Sequence, residues 1–384
     1  MPKPEKPAGG RAAAGGSEPD EASPRTPVRT KPLDETQRDA WFEGPDVVTA
    51  LHVYEGDVEY QLPPKATLTL GASRSCDLAV PGRDLSAMHC LLERKGSRLR
   101  VYDQHSTNGT FFGGRRIDVI DVNPGDTFTP APVTFLAMNE VMRTHRPTLV
   151  DILGANFAPS PDRVLVDAIK GSSNLLITGE TGCDLDALAR SIHAVSLRRL
   201  KDMVEISAVP AERAKQREII AKAARSTLLI NLDATKAALD PTFCSMVFSS
   251  EYHVRVIVLA LTTNLARKWL PAENVEQMQH IWVRPLAMRP GDVPDLLDRM
   301  LAQRQASFRL ADLSRPNREA LCENEWRDNF VGLRLAADRL TAISRIEHWE
   351  AMDWRERSAS VGVPKSTLHD WFVGVGLACP LFVV

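Results

Sequence analysis

The hydrophobic rhythm of this chain changes near residue 140, and no single layer of structure can accommodate both rhythms. Before that point, apolar residues come in short alternating runs at 47–54, 57–62 and 98–102, with turns at Glu55-Gly56, Lys95-Gly96, Gly113-Gly114 and Pro124-Gly125-Asp126. Many short strands at close spacing build an antiparallel sandwich. After Pro147 the runs 174–178, 227–231 and 254–261 are nearly continuous in apolar residues, and helical stretches at 184–200, 211–224 and 292–308 separate them. Strands of that texture alternating with helices form a parallel sheet covered on both faces. From about residue 317 the pattern is helical to the end. A chain of 384 residues also exceeds one typical domain. The expected fold class is therefore multidomain. An all-β sandwich spans 46–140, an α/β domain 148–346, a helical pair 347–377 and a tail 378–384.

Composition narrows the setting. Residues 1–45 are Pro, Gly, Ala and charge, too poor in apolar surface to offset the entropy of ordering, and read as a disordered tail. Thr26 and Thr30 sit there among basic residues, either as kinase targets or as plain solvated threonines. A net charge of −2 gives no global pull toward nucleic acid, so any DNA contact must be local. The six cysteines are scattered without a CxxC pair, which argues against zinc and against a secreted disulfide framework. No metal or other cofactor is expected. The start lacks the apolar core of a signal peptide, and no run approaches the roughly 20 apolar residues of a membrane helix. The expectation is a cytoplasmic protein with no membrane partner.

Three signatures fall in order inside the sandwich: Leu70-Gly71-Ala72, Ser86-Ala87-Met88-His89 and Ser106-Thr107-Asn108-Gly109-Thr110. Together they resemble the forkhead-associated (FHA) domain, whose pattern is Gly-Arg, Ser-x-x-His and Ser/Thr-x-Asn-Gly. The resemblance implies a phosphothreonine-containing protein as partner. It places Ser86 and Thr107 as donors to phosphate oxygens and Asn108 on the peptide backbone, with Ser106 beside them. Gly71, His89 and Gly109 would shape the loops. A phosphate carrying nearly two negative charges also needs a cation. The family's arginine is Ala72 here, so Arg74 or Arg83 is the expected replacement, Arg74 by sharing a face with position 72 if the strand continues. The rival reading is a module that binds an unphosphorylated partner.

The segment 174–186, with Gly179, Gly182, Cys183, Asp184 and Leu185, is a strand, a loop and a helix start. With the run from Arg284 to Pro294, it resembles the AAA+ domain of sigma-54-dependent activators in the bacterial enhancer-binding family. That family's loop has glycine and lysine where this chain has Asp184 and Leu185, and its magnesium-binding acidic pair is replaced by Asn231 and Leu232. Its Gly-Ala-Phe-Thr-Gly-Ala loop has no counterpart between 203 and 226, and its Asn-Val-Arg sensor reads Asn329-Phe330-Val331. Phosphoryl transfer depends on positioning and charge. The expected α/β domain is thus a degenerate nucleotide site and not an enzyme.

Residues 354–372 give a short helix, a turn at Gly362 and a second helix with Val363, Leu368 and Phe372 facing inward. This resembles the Fis-type helix-turn-helix that ends the same activators. Carried over, Lys365, Ser366, Thr367 and His369 would face the major groove, with Arg355 and Arg357 near phosphates. Asp370 opposes phosphate, so a dimer, or an oligomer with a related activator, would be required. The plain alternative is a helical hairpin kept for dimerisation. The functional expectation is a phosphothreonine-responsive transcriptional regulator without ATP hydrolysis. Its rival is an FHA adaptor in Ser/Thr kinase signalling with no DNA role.

Overall fold

Period-two burial builds the first part of the protein. In the computed structural model the described residues are 46–382, apart from 83, 172 and 234–237. The expected tail 1–45 with Thr26 and Thr30, the candidate Arg83 and the last two positions of 378–384 lie outside the described residues. The strands are β1 (Ala50–Val53), β2 (Glu59–Gln61), β3 (Thr67–Gly71), β4 (Leu78–Ala79), β5 (Cys90–Lys95) and β6 (Arg98–Asp103). They continue with β7 (Thr110–Phe112), β8 (Arg115–Ile117), β9 (Val119–Val122), β10 (Thr127–Pro130) and β11 (Phe135–Met138). One sheet runs β2-β1-β11-β10-β7-β8 and the other β4-β3-β5-β6-β9. Leu68, Leu70, Leu92, Val101, Phe128 and Phe135 fill the space between them. The β5–β6 hairpin pairs Lys95 with Arg98 across Gly96, whose φ of 59° suits the tight turn read from the sequence.

Strand β11 is buried along its whole length, so the outer face of its sheet is covered too. Asn139 follows directly and caps α1 (Glu140–Leu153) by accepting from the Met142 amide. The boundary expected at Pro147 therefore falls inside a helix. A proline there removes one intrahelical bond, and packing of Met142, Leu149, Ile152 and Leu153 outweighs that loss. Helix α2 (Pro161–Lys170) then lies against the outer sheet face, where Leu136 and Met138 share one core with Leu165 and Ile169. At its first turn buried Asp162 accepts from Arg146 Nε at 2.7 Å and from the Glu55 amide at 2.6 Å, with His52 Nε2 at 3.5 Å. Burial disfavours the Asp162 charge, but His52 and Arg146 outweigh it and hold the carboxyl below its usual range.

The α/β part adds β12 (Leu175–Thr178), α3 (Leu185–Val195), β13 (Val204–Ile206), α4 (Arg213–Ala223), β14 (Thr227–Asn231) and α5 (Pro241–Phe248). It is completed by β15 (Arg255–Ala260), α6 (Thr263–Trp269), α7 (Ala272–Glu276) and β16 (Gln279–Trp282). The sheet order is β13-β14-β15-β12-β16, and every neighbouring pair is parallel.

The last part contains α8 (Val293–Gln303), α9 (Arg315–Glu323), α10 (Asn329–Ser344), α11 (Trp354–Val361) and α12 (Lys365–Gly374). The helical pattern expected from about residue 317 is present as α9 to α12, separate helices joined by short links, and the chain leaves helical conformation after α12. It folds back so that Leu381 is fully buried, and Phe382 bridges to Leu313. Asn317 makes this possible, because its Nδ2 donates to the carbonyls of Ala378 and Pro380. Of the stretch 378–384 expected as a tail, Leu381 is thus a core residue. Leu368 and Phe372 share that core with Leu296, Leu333 and Trp349. All six cysteines are free thiols, and no helix among the described residues is long and apolar enough to cross a membrane.

Candidate functional site

Three loops meet at one end of the sandwich. The loop after β3 closes on the segment before β5 through Ala72 N–H to Ser86 O and Ser73 N–H to Ala87 O, both at 3.0 Å. Gly71 permits that approach, since a Cβ there would stand 2.4 Å from Ala87 O. The Thr107 amide donates to Ser86 Oγ at 3.1 Å, and Asn108 Nδ2 donates to Asp84 O at 3.0 Å. Ser86 is half-buried while Thr107 and Asn108 are exposed. The Ser86 hydroxyl proton and the Asn108 carbonyl oxygen are not spent in these two bonds. The patch therefore offers both donors and an acceptor to a peptide laid across it.

His89 holds the patch from beneath. It is fully buried, its Nδ1 accepts from the Ser86 amide, and its Nε2 lies 3.3 Å from the Gly109 carbonyl. Those partners require the neutral ring with the proton on Nε2, and burial lowers its pKa in the same direction. Cys90 and Asp103 lie close enough to His89 to form a metal-like cluster. Both His89 nitrogens are already committed, however, and Cys90 Sγ pairs with Thr110 Oγ1. Burial pushes the Cys90 thiol up to about 12.

Two candidates at this end of the sandwich need correction. Ser106, expected beside the ligand, is buried. Its hydroxyl donates to Asp103 Oδ1 at 2.6 Å and accepts from the Gly109 amide at 3.0 Å, so it is a strut of the loop. Burial works against the Asp103 charge, but bonds from Ser106 and Thr110 hold its pKa below the usual range. Arg74 was placed on a continuing strand, but β3 stops at Gly71 and Arg74 stands exposed on the following turn. The side chain that sequence reasoning missed is Arg116 on β8. Its Nη2 reaches Ser106 O at 3.4 Å, and its Nε lies 2.6 Å from where a Cβ on Gly109 would stand.

The second candidate site is the loop after β12. Asp184 sits in the left-handed region at φ 57°, and its carboxylate takes both terminal nitrogens of Arg334 on α10, Nη2 at 2.7 Å. Asn329 Nδ2 donates to Thr181 O at 3.0 Å and the Phe330 amide to Gly182 O at 3.0 Å. Gly182, at φ 83°, lies against Asp328 O, and Gly179 is flanked by the Leu185 side chain and Val283 O. Asn231 Oδ1 accepts from the Asp233 amide, and Asp233 Oδ1 accepts from the Leu261 amide. Groups at the carboxyl end of this sheet thus bind other parts of the same protein. Arg334 had no sequence signature.

In the final helix pair, Gly362 adopts φ 74° between α11 and α12, and Leu368 and Phe372 turn inward as read. Arg355, Lys365, Ser366, Thr367 and His369 are exposed, although the His369 ring lies edge-on to Trp354 at 5.5 Å. Arg357, expected near DNA phosphates, is instead buried. It donates to Trp349 O at 3.1 Å and Glu350 O at 3.2 Å, between the rings of Trp349 and Trp354. Its aromatic neighbours and these two carbonyls draw it inward.

Comparison with known proteins matches the FHA domain family to residues 68–129. The ABC transporter ATP-binding/permease protein Rv1747 of Mycobacterium tuberculosis is 24% identical over 148 residues, 36% of this chain and 17% of that protein. The chain therefore spans only a small part of that curated relative. Among solved structures, Mycobacterium tuberculosis EmbR in complex with a low affinity phosphopeptide is 22% identical, covering 24% of each chain, with a TM-score of 0.23. NtrX from Brucella abortus in complex with ATP is 18% identical over 62% of this chain and 68% of that one, with a TM-score of 0.37. Residues 68–129 are an FHA domain.

Proposed function

We propose that this chain is a phosphothreonine-responsive regulator. Its FHA domain receives a phosphorylated partner from a cytoplasmic Ser/Thr kinase pathway, and its C-terminal helix pair meets DNA as a dimer or in an oligomer with a related activator. The observation that carries the reading is the patch of Ser86, Thr107 and Asn108, held by His89 and open to solvent. The α/β body would join the two ends without hydrolysing ATP. Supporting that part, Asp184 and Arg334 neutralise each other within the loop that would cradle phosphate. The full chain titrated with a degenerate phosphothreonine peptide library should bind at least about tenfold tighter than to the unphosphorylated twin, as expected for a charge-assisted contact. Equal binding of the two libraries rejects the reading.

An adaptor without a DNA role is the second reading. It is favoured by the inward-turned Arg357 and by Asp370, whose side chain is 81% exposed on α12. A shift of labelled duplex DNA that weakens steeply with salt decides for the regulator. No shift at low salt decides for the adaptor.

A further inference from the structure

An FHA patch that has lost its family arginine needs a cation from elsewhere. The described loops supply hydroxyls and amides, while the carboxylates they carry, those of Asp84 and Asp103, add charge of the wrong sign. Arg74 stands on a turn beyond the end of β3. The antiparallel register of β7 and β8, which pairs Phe111 with Arg116, brings a different guanidinium to the loops. Arg116 lies across the bare face of Gly109, where its Nε, Cζ and Cδ all come within 3.2 Å of the position a Cβ would take. Only a glycine at φ 78° leaves that space. Its Nη2 touches Ser106 O, the carbonyl of the same peptide unit whose N–H, on Thr107, bonds Ser86 Oγ.

The guanidinium lies on the loop that carries Thr107 and Asn108, across Gly109 and at the carbonyl edge of the Ser106–Thr107 peptide, opposite the amide edge that meets Ser86. It carries five N–H donors and spends one on a long 3.4 Å contact, so most remain for a ligand. It is also exposed, with no carboxylate bonded to it among the described residues, so its charge is available to an anion.

We infer that Arg116 supplies the charged contact to the phosphothreonine peptide, doing from β8 what the family does from position 72. This rests on the phosphopeptide reading above. An arginine in this role makes a charge-assisted, planar contact that a lysine reproduces only in part.

The test uses the full chain and the tightest peptide selected from the phosphothreonine library. Arg116→Met keeps the aliphatic stem over Gly109 and removes the charge. Its affinity for the phosphopeptide should fall about ten- to a hundredfold, with a shallower salt dependence and unchanged binding of the unphosphorylated twin. Arg116→Lys should recover part of the loss. Arg115→Met, one residue away on the opposite face of β8, should bind as the wild type does. The inference is overturned if Arg116→Met binds like the wild type, or if both peptides weaken equally, which would mark a merely structural arginine. If the wild-type chain itself shows no phosphate preference, the underlying reading fails instead, and that failure is visible before any variant is made.

Discussion

Arg334 closes on Asp184 across 150 positions of sequence, both terminal nitrogens on one carboxylate, at the point where a nucleotide-binding loop would meet phosphate. The pair is bidentate but half-open, with Arg334 41% exposed and Asp184 18%. Its worth is accordingly modest, about 1 kcal/mol of coupling. A double-mutant cycle of Asp184→Ala and Arg334→Ala, followed by urea unfolding, should show that coupling. Additive losses would mean the two side chains are neighbours without being partners.

The same pair bears on catalysis. Phosphoryl transfer needs a cation and a metal at the cradle, and here the available carboxylate and guanidinium satisfy each other. The chain should therefore show no ATP turnover above background and no thermal stabilisation by ATP with magnesium. A reproducible rise in melting temperature with nucleotide would contradict the idea of a self-occupied loop.

His89 should make the sandwich sensitive to acid. Its folded pKa lies below the ordinary value near 6.5, chiefly through burial. A depressed histidine contributes stability that is fully present above its unfolded pKa and is lost as pH falls below about 6.5. The maximum slope is about 1.4 kcal/mol per pH unit for one proton. Burial also depresses His145, His193 and His280, so the wild type should take up several protons on acid unfolding. His89→Gln should show a shallower slope below about pH 6.5, by at most one proton. An unchanged slope would show that His89 is not neutral in the fold.

What could be read from the sequence follows from what each position must do. Gly71 and Gly109 were legible because loop geometry excludes every other residue there, and a signature records that exclusion. The buried strands 175–178 and 255–260 were legible because residues covered on both faces must be nearly all apolar. Ser106 and Arg357 were misread because a motif gives spacing but not the direction a side chain turns. Arg116, Arg334 and Asp162 were invisible for a simpler reason. Each acts on a partner brought near only by strand register or by packing of distant helices, and no local pattern encodes that.

Asp162 should govern whether the sandwich and the α/β part behave as one unit. It is 1% exposed and holds Arg146, His52 and the Glu55 amide together. Removing one member of a buried ionic cluster leaves the others unpaired, a loss of about 3 kcal/mol or more. Asp162→Ala should therefore split a single calorimetric transition into two, with the sandwich melting apart from the rest. One unbroken transition with a small shift would mean that the shared core around Leu136, Met138 and Leu165 joins them without this cluster.

Arg357 and Lys365 offer a sharper comparison, because the helix-turn-helix resemblance would set Arg357 near phosphate and Lys365 at the major groove, and each cation would add to the salt-dependent term. Arg357 is committed to two backbone carbonyls and two tryptophan rings, while Lys365 is exposed at the start of α12. Arg357→Ala should cost about 2 kcal/mol of stability, since both carbonyls lose a charged donor in a buried place. It should leave the salt dependence of any DNA binding unchanged. Lys365→Ala should do the reverse, sparing the melting temperature and lowering the salt slope by about one. If Arg357→Ala flattened the salt slope without destabilising the fold, the arginine would have to swing out to phosphate on binding, and its buried position would describe only the free protein.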